Sequence, residues 1–239
     1  DYLTYGLMLY EYSRHPLRQL IKIIRKLPAE SQEKIRQAYI GDRATRRDRP
    51  YRALESGYMY TFDLITDFGT YKDLERHRMT SQLRQRFSPR LGFIIPDDIT
   101  TAGFADKLTA CHERVAALYE KLVVDFPDQA SYVTLHGHKV RWVIAFNERE
   151  AYHLLELRTT PQGHPQYRKV CQLLHQEIAK VSPWRAEGMK FVDHNDYFWM
   201  TEADSEQLFD NVNKALQKEY KVKLIESNCF EQKVVEENS

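Results

Sequence analysis

Several features that mark common protein classes are missing from this sequence. No apolar run approaches the roughly 20 residues that a membrane-spanning helix needs. Nine glycines and nine prolines among 239 residues exclude a collagen-like or linker-dominated chain. The three cysteines, Cys111, Cys171 and Cys229, are far apart and form no CxxC pair. This spacing argues against a disulfide framework or a zinc site and indicates a reducing compartment, for which we expect the cytoplasm.

An excess of charge of one sign is missing as well. The chain has 35 basic and 34 acidic side chains and a formal net charge of +1, which disfavours a dedicated nucleic-acid binder. A helical domain that binds RNA or DNA through the arginines of 43–52 and 76–90 remains an alternative. Neither GxGxxG nor a Walker loop occurs, and GxSxG, HExxH and a Cys–His signature are also absent, so the usual nucleotide cradles and nucleophile systems are excluded.

Hydrophobic periodicity predicts an α+β fold, helix-rich with a small mixed sheet. Apolar residues alternate with polar ones at 58–65 and 139–146, which predicts two strands. Helical spacing predicts helices at 4–27, 68–78, 98–126, 147–158, 165–181 and 204–219. A charged tail follows Lys223, and we expect it to fray.

The predicted helix at 98–126 carries a regular apolar seam. Its members follow steps of three and four: Phe104, Leu108, Cys111, Val115, Leu118 and Leu122. We expect this seam to be buried, with Cys111 as a small core residue. Together with the apolar stripe at 17–27, it offers more surface than one small sheet covers. The pattern therefore predicts self-association or a homologous partner domain.

A basic constellation follows the predicted helix at 68–78. Arg76-His77-Arg78 precedes Ser88 and Arg90, and guanidinium groups match the geometry of phosphate. The alternative interpretation is a solvated basic face that pairs with acids such as Asp73 and Glu75. The arginines of 43–52 form a second run, which we expect Asp42 and Asp48 to order.

A second constellation opens the predicted helix at 147–158. Arg149, His153 and Leu157 stand at i, i+4 and i+8 and form one stripe, with Asn147 before them and Arg158 after. A histidine in such a stripe is either a satisfied structural residue or a ligand contact. Arg158 likewise binds an anion or pairs with Glu156 at the helix end. We assign no metal site, because no carboxylate or cysteine stands at ligand spacing from His136 and His138.

These two constellations together resemble the flavin-dependent thymidylate synthase family. Arg76-His77-Arg78 with Ser88-x-Arg90 is similar to the Arg-His-Arg signature of that family and its later serine. Asn147-x-Arg149, His153 and Leu157-Arg158, with the later Gln166, are similar to its second conserved region. The resemblance covers about residues 50–185 and implies the family's fold.

The resemblance also implies an activity and a set of ligands. Family members methylate dUMP to dTMP with methylenetetrahydrofolate as carbon donor, NADPH as reductant and FAD as hydride carrier, and they need no cysteine nucleophile. They are usually homotetramers that hold FAD and dUMP at subunit junctions. The implied FAD contacts are Arg76, His77, Arg78, Asn147, Arg149 and His153. The implied dUMP contacts are Ser88, Arg90, Leu157 and Arg158.

The sequence departs from the family pattern at several positions. An upstream histidine-rich motif is replaced by residues 51–57, including Gly57. Arg86 stands near the expected acidic position, Ser131 replaces an arginine, and His153 replaces an asparagine. The chain resembles a divergent member, one half of a tandem protein, and Asp1 as first residue fits that expectation. The alternative is a catalytically degenerate domain that acts as a structural or assembly partner of an active copy.

The domain division that we predict has three parts. Residues 1–49 form an N-terminal helical segment, 50–192 form the flavin-dependent thymidylate synthase-like core, and 193–239 form a C-terminal helix and charged tail. No membrane contact is expected.

Overall fold

The computed structural model describes residues 1–50, 52–197, 203–208, 210–211, 214–215 and 218–219. In chain order the helices are α1 (Tyr2–Tyr10), α2 (Leu17–Ile24), α3 (Ala29–Ile40), α4 (Phe68–Leu74), α5 (Asp97–Thr101), α6 (Ala105–Asp125), α7 (Glu148–Arg158), α8 (Pro165–Val181) and α9 (Pro183–Gly188). The strands are β1 (Met59–Asp67), β2 (Thr80–Arg84) and β3 (Lys139–Asn147). Short 3-10 turns lie at Arg52–Glu55, Pro89–Leu91 and Gln129–Val133.

The three strands form one sheet in the order β1-β3-β2. Apolar and polar residues alternate along β3, and every second side chain of a strand points to the same side. The sheet therefore has one buried face. Val140, Trp142, Ile144 and Phe146 are at most 1% exposed. Tyr60 of β1 lies opposite Phe146 and joins the same core. The helix-rich α+β class and the strands at 58–65 and 139–146 are confirmed.

The sheet differs from the prediction in two respects. Both neighbours of β3 pair with it in antiparallel orientation, so the sheet is antiparallel throughout and not mixed. β2 was not predicted, because its sequence, TSQLR, has no alternating apolar pattern. It is an edge strand whose Leu83 is 77% exposed. Pairing with β3, and not burial of its own side chains, makes it a strand.

Three predicted helices have different bounds. The segment 4–27 divides into α1 and α2, because Pro16 has extended backbone angles and starts a new helix. The segment 98–126 divides into α5 and α6 at Gly103, whose φ of 76° ends the first turn. α4 ends at Leu74, before the Arg-His-Arg triplet. The helix at 204–219 lies partly outside the described residues. Its described residues, 203–208, 210–211, 214–215 and 218–219, are helical, and the tail lies outside the described residues.

The prediction of a buried seam on α6 is wrong for this chain by itself. Phe104 and Leu118 are 50% and 45% exposed, and the other seam residues are half-buried. The buried residues of α6 are His112 and Tyr119. α6 packs mainly against the 3-10 turns at Pro89–Leu91 and Gln129–Val133, which are too short to cover a helix of 21 residues.

Contacts between residues distant in the sequence tie the N-terminal helices to the core. Arg185 of α9 donates to Glu148 at 2.9 Å and to Asp1 at 2.6 Å, and Arg43 pairs with Glu156 of α7. The division into residues 1–49, 50–192 and 193–239 stays a prediction. Among the described residues, no helix combines the length and the apolar character that crossing a membrane requires.

Candidate functional site

The site is built around the junction of β3 and α7. Asn147 ends β3, and its side-chain oxygen accepts the backbone N–H of Glu150 at 2.8 Å, so it caps α7. α7 buries Ala151, Leu154 and Leu155 against the core. The predicted stripe of Arg149, His153 and Leu157 is its half-buried side. The helix therefore presents these three side chains away from the core.

His77 connects this helix to the turn between α4 and β2. Its Nδ1 lies 3.1 Å from Oε1 of Glu150, and its Nε2 accepts a hydrogen bond from Nε of Arg158 at 2.7 Å. A guanidinium group only donates, so Nε2 carries the lone pair and Nδ1 carries the proton that points to Glu150. Glu150, His77 and Arg158 thus form one hydrogen-bonded chain, which we call the Glu150 relay.

The hydrogen bonds of the relay indicate whether His77 binds a metal ion or orients Arg158. Ligand atoms of His77, Glu150 and His153 lie within 4.8 Å of one another, as in a metal site. However, both nitrogens of His77 are already used by Glu150 and Arg158. A metal ion needs a free lone pair, so binding one through His77 requires Arg158 to leave. The arrangement orients Arg158 and does not form a preassembled metal centre.

A small cavity of about 80 Å³ lies beside the relay. It is lined by Arg49, Glu55, Met79, Asn147, Arg149, Glu150 and His153. Arg149 forms an ion pair with Glu55, yet its buried Nε has no hydrogen-bond partner among the described residues. Burial lowers the pKa of His153, and the charges of Arg49 and Arg46 lower it further against the opposite effect of Glu150. The cavity therefore offers donors and little negative charge that is not already paired.

The predicted FAD contacts fall into two groups. Asn147, Arg149 and His153 line the cavity, and His77 belongs to the adjacent relay. Arg76 and Arg78 are exposed, and Arg76 pairs with Asp73 at 2.6 Å. For Arg76 the structure thus shows the ion pair that is expected of a solvated basic face, which was the alternative to a ligand contact.

The predicted dUMP contacts are also divided. Arg158 stacks its guanidinium over Tyr167 at 5.4 Å and does not pair with Glu156, because Glu156 is bound by Arg43 through two hydrogen bonds of 2.5 Å. Arg90 is exposed and pairs with Glu120 of α6 at 2.9 Å. Ser88 is half-buried and precedes the 3-10 turn, and Leu157 is half-buried on α7. Among the residues that the structure describes, Arg90 and Arg158 share no partner.

The four departures from the family pattern have separate locations. His153 lines the cavity, whereas Arg86 pairs with Asp128 on the surface at 3.1 Å. Ser131 donates to the carbonyl of Asp128 at 3.0 Å. Gly57 lies against the side chains of α1. His153 is the departure that changes the chemistry of the site.

Sequence reasoning missed two contributors to this site, Glu150 and Arg49. Glu150 stands three residues after the capping Asn147, where an acidic residue is expected for the helix start alone. Its partner, His77, is 73 positions away in the sequence, so no local pattern reveals the relay. Arg49 belongs to the arginine run at 43–52, for which we predicted order but no place in this site.

A larger cavity of about 320 Å³ lies elsewhere, between the start of α4 and the start of α8. Its lining includes Asp67, His136, His164 and Gln166, and it contains none of the predicted contacts. The side chain of Asp67 is occupied by capping α4, where it accepts from Thr70 at 2.8 and 2.6 Å.

Nucleophilic chemistry by the buried cysteine is disfavoured. Cys171 is fully buried in α8, and this burial raises the pKa of its thiol to about 12. The reactive form of a cysteine is the thiolate, which this environment suppresses. Cys111 is half-buried on α6, and Cys229 lies outside the described residues.

Comparison with known proteins identifies a family. The profile of the thymidylate synthase complementing proteins matches residues 9–184. A UPF0159 protein of Chlamydia muridarum (strain MoPn / Nigg) is 32% identical over 188 residues, and one of Chlamydia pneumoniae is 34% identical over 188 residues. Each alignment covers 79% of this chain and 35% of the relative. The chain therefore spans about a third of the length of these curated relatives.

A solved structure shows the same fold. The crystal structure of a UMP/dUMP methylase, PolB from Streptomyces cacaoi, bound with 5-Br UMP, superposes with a TM-score of 0.50 at 19% identity. The alignment covers 59% of this chain and 76% of that chain.

Proposed function

This chain belongs to the thymidylate synthase complementing protein family, the flavin-dependent thymidylate synthases, and from that premise we propose that it takes part in the reductive methylation of dUMP to dTMP. The carbon donor is methylenetetrahydrofolate and the reductant is NADPH. Bound FAD would supply hydride-transfer chemistry, so that the reducing equivalent of NADPH converts the transferred one-carbon group into the methyl group. The PolB structure is bound with 5-Br UMP, a uridine nucleotide, which supports a pyrimidine nucleotide as substrate.

The observation that carries this proposal is the Glu150 relay beside the cavity. Arg158 uses Nε for His77, and within the described part of the chain its two terminal nitrogens have no acceptor, so they are available to a ligand. A phosphate or a pyrimidine carbonyl accepts from such a pair. Because Glu150 and His77 fix the guanidinium before a ligand arrives, less entropy is lost on binding.

The residues that line the cavity fit part of a flavin dinucleotide. Arg149 has a buried Nε without an acceptor among the described residues. The side-chain oxygen of Asn147 caps α7, so a ligand would meet its amide nitrogen. Ligand pockets usually have about 300–1,000 Å³, and this cavity has about 80 Å³. The chain therefore supplies one wall of a cofactor site, and a second copy or a homologous domain supplies the rest.

The positions of the dUMP contacts support the same conclusion. Arg90 reaches Glu120 of α6, and Arg158 reaches His77. Both arginines contact one nucleotide if each comes from a different copy. We therefore propose an assembly of at least two copies or homologous domains, with the half-exposed seam of α6 as a candidate contact surface. The predicted cytoplasmic location agrees with the free thiols of Cys111 and Cys171.

Calorimetric titration with dUMP tests the proposal, in the presence of FAD and of any homologous domain. Wild-type chain and the Arg158→Ala variant are compared, with folding checked by circular dichroism and flavin retention by the visible absorption spectrum. We expect the variant to bind about ten- to a hundredfold more weakly, the effect of a lost charge-assisted contact. Absence of dUMP binding to the wild type under all these conditions contradicts the proposal.

A second candidate function is a non-catalytic assembly partner of an active copy. It is favoured by the ion pairs that occupy Arg90 and Arg149 and by the small cavity. Mixing the chain with an active homologue separates the two functions. If the chain is only a partner, Arg158→Ala leaves dTMP formation of the mixture unchanged, whereas a variant that blocks assembly abolishes it.

A further inference from the structure

Two histidines from different elements meet beside α9. His175 lies half-buried on α8, and His194 is exposed in the extended segment that follows α9. Nε2 of His194 is 3.0 Å from Nδ1 of His175, and Nε2 of His175 is 3.0 Å from the carbonyl oxygen of Ala186. A carbonyl only accepts, so Nε2 of His175 carries a proton and its Nδ1 carries a lone pair that faces His194. The two imidazoles therefore share one proton, which Nε2 of His194 donates.

The backbone around His194 is held in place by contacts of its neighbours. The N–H of Asp193 donates to Oγ1 of Thr159 at 3.0 Å, and the carbonyl of Asp193 accepts from the side chain of Gln172 at 3.0 Å. On the other side, the N–H of Asn195 donates to the carboxylate of Asp193 at 2.8 Å. Because the segment is ordered before any ligand arrives, a ligand that joins the two rings loses less entropy on binding.

The two facing nitrogens have the spacing of neighbouring ligands on one metal ion. Imidazole nitrogens bind such ions at about 2.0–2.1 Å, so two nitrogens 3.0 Å apart subtend about 91–97° at an ion between them. This angle is close to that between neighbouring ligands in octahedral or square-planar coordination, and it is smaller than the tetrahedral angle of about 109° that zinc adopts. The geometry therefore favours Ni²⁺ or Cu²⁺ over Zn²⁺.

The hydrogen bond from His175 to Ala186 is the support that metal-binding histidines commonly have. Such a histidine donates its second ring N–H to a carbonyl or carboxylate, which fixes the tautomer and makes the other nitrogen a better ligand. For His194 to bind as well, the proton leaves Nε2 and Nδ1 takes one up, so the neutral ring releases no net proton. Within the described part of the chain, no carboxylate, cysteine or third histidine completes a set within 4.8 Å, so water fills the other positions.

We propose that Nδ1 of His175 and Nε2 of His194 form a binding site for a divalent transition-metal ion of the Ni²⁺ and Cu²⁺ class. The ion takes the place of the proton between the rings and ties the segment 193–195 to α8. The site goes beyond the proposed function, because neither histidine belongs to the Glu150 relay or lines the cavity beside it. The histidines are 19 positions apart, so no local spacing in the sequence predicts this site.

Calorimetric titration with Ni²⁺ tests the site on a chain that carries no histidine purification tag. Ni²⁺ is used because Cu²⁺ oxidises free thiols, which this chain has, and about pH 7.5 keeps histidine mainly neutral. His194→Gln removes the exposed ligand, and His175→Gln removes the other ligand. Two controls are His15→Gln, which changes another exposed histidine, and His153→Gln, which changes the cluster of ligand-type side chains beside the Glu150 relay.

We expect the wild type to bind one Ni²⁺ and both ligand variants to bind it at least about tenfold more weakly, because loss of even a supporting group of a metal ligand costs about 10–100-fold. His15→Gln and His153→Gln should stay within about twofold of the wild type, because neither supplies a ligand atom. Mg²⁺, which prefers oxygen ligands, should not bind at this site. Ni²⁺ should also raise the temperature of thermal unfolding of the wild type, and less so that of His194→Gln.

Three outcomes overturn the site: no Ni²⁺ binding by the wild type, equal affinity in His194→Gln, or an equal loss in one of the two control variants. Circular dichroism checks folding, and if His175→Gln does not fold, the exposed His194→Gln decides alone. The proposed function is tested separately, by dUMP titration of the metal-free chain. Ni²⁺ binding that depends on His194 stands even if dUMP does not bind, and dUMP binding stands even if Ni²⁺ does not bind.

Discussion

The helices α6 and α7 have similar apolar spacing in the sequence, but the structure buries the apolar face of α7 and leaves that of α6 half-exposed. α7 lies between the sheet and α8 and buries Ala151, Leu154 and Leu155 completely. α6 is almost twice as long, yet its buried residues are His112 and Tyr119. The arginines near them differ in the same way, because Arg43 is buried against α7 and Arg90 is exposed against α6.

A periodic apolar pattern therefore indicates a surface that has to be covered, but it does not indicate which element covers that surface. On α7 the covering elements belong to the same chain. On α6 the seam is left half-exposed, which fits a helix that a second copy or domain covers. The relay and the cavity lie on the α7 side, where elements of the same chain cover the apolar face of the helix.

The largest expected difference is in the free energy of unfolding after loss of the Arg43–Glu156 or the Arg90–Glu120 ion pair. Arg43→Ala leaves Glu156 buried without its partner, and removing one member of a buried pair typically destabilises by about 3–5 kcal/mol. Arg90→Ala breaks a solvent-exposed pair, for which we expect no measurable loss. Denaturant unfolding of both variants measures the difference. Equal losses for the two variants contradict the distinction between buried and exposed pairs.

The second prediction tests the uncovered seam. Leu118→Glu places a charge in the middle of the seam, and we expect it to abolish self-association while the free energy of unfolding of the single chain changes by no more than about 0.5 kcal/mol. Leu173→Glu on α8 is the control, since Leu173 is similarly exposed at 47%. Light scattering at micromolar concentrations gives the masses. A monomeric wild type, or an unchanged assembly of Leu118→Glu, rules out the seam as an interface.

The third prediction concerns the Glu150 relay. His77→Ala removes the acceptor that orients Arg158, and we expect dUMP affinity to fall about tenfold or more. Glu150→Ala should have a smaller effect, because it acts through His77. Glu150→Gln should restore most of the affinity, because its carbonyl oxygen still accepts from Nδ1 of His77. Calorimetry measures all three, and equal affinity in His77→Ala and the wild type would show that Arg158 does not need the relay.

The smallest expected effect is a pH dependence of stability that comes from the contact between His112 of α6 and His138. His138 Nδ1 accepts the backbone N–H of Leu135 at 2.9 Å, so its Nε2 carries the proton and faces Nδ1 of His112 at 3.2 Å. Burial lowers the pKa of both histidines, and for His138 the neighbouring His112 lowers it further. The unfolded chain, with histidine pKa near 6.5, then binds more protons than the folded chain. Stability should therefore fall as pH drops through 6.5 and below.

A variant isolates this histidine pair from other titrating groups. His112→Phe keeps a ring that stacks on Phe93, where the rings of Phe93 and His112 are now 4.1 Å apart, and it removes one titrating group. Denaturant unfolding is measured from pH 7.5 to pH 5 (about the range in which histidine titrates). We expect a shallower pH dependence in the variant. The same slope in both proteins shows that the pair does not contribute.

Local patterns in the sequence determined much of the fold and part of the site. The alternation along 139–146 determined a strand with one buried face, because side chains repeat every two residues. Asn147 followed by Glu150 determined the start of α7, since a capping side chain satisfies backbone N–H groups that the helix leaves open. The same patterns placed Arg149, His153 and Leu157 on one side of α7. Family membership followed from such short motifs.

Tertiary structure alone decided which of these residues act together. His77 and Arg158 are 81 positions apart, and Arg43 and Glu156 are 113 apart. Their pairing depends on how the chain returns to the same place, which no local period encodes. β2 became a strand because β3 had an open edge, and the seam of α6 stayed half-exposed because only short turns reach it. Burial and partner choice are properties of the packed chain, since they depend on every element that surrounds a residue.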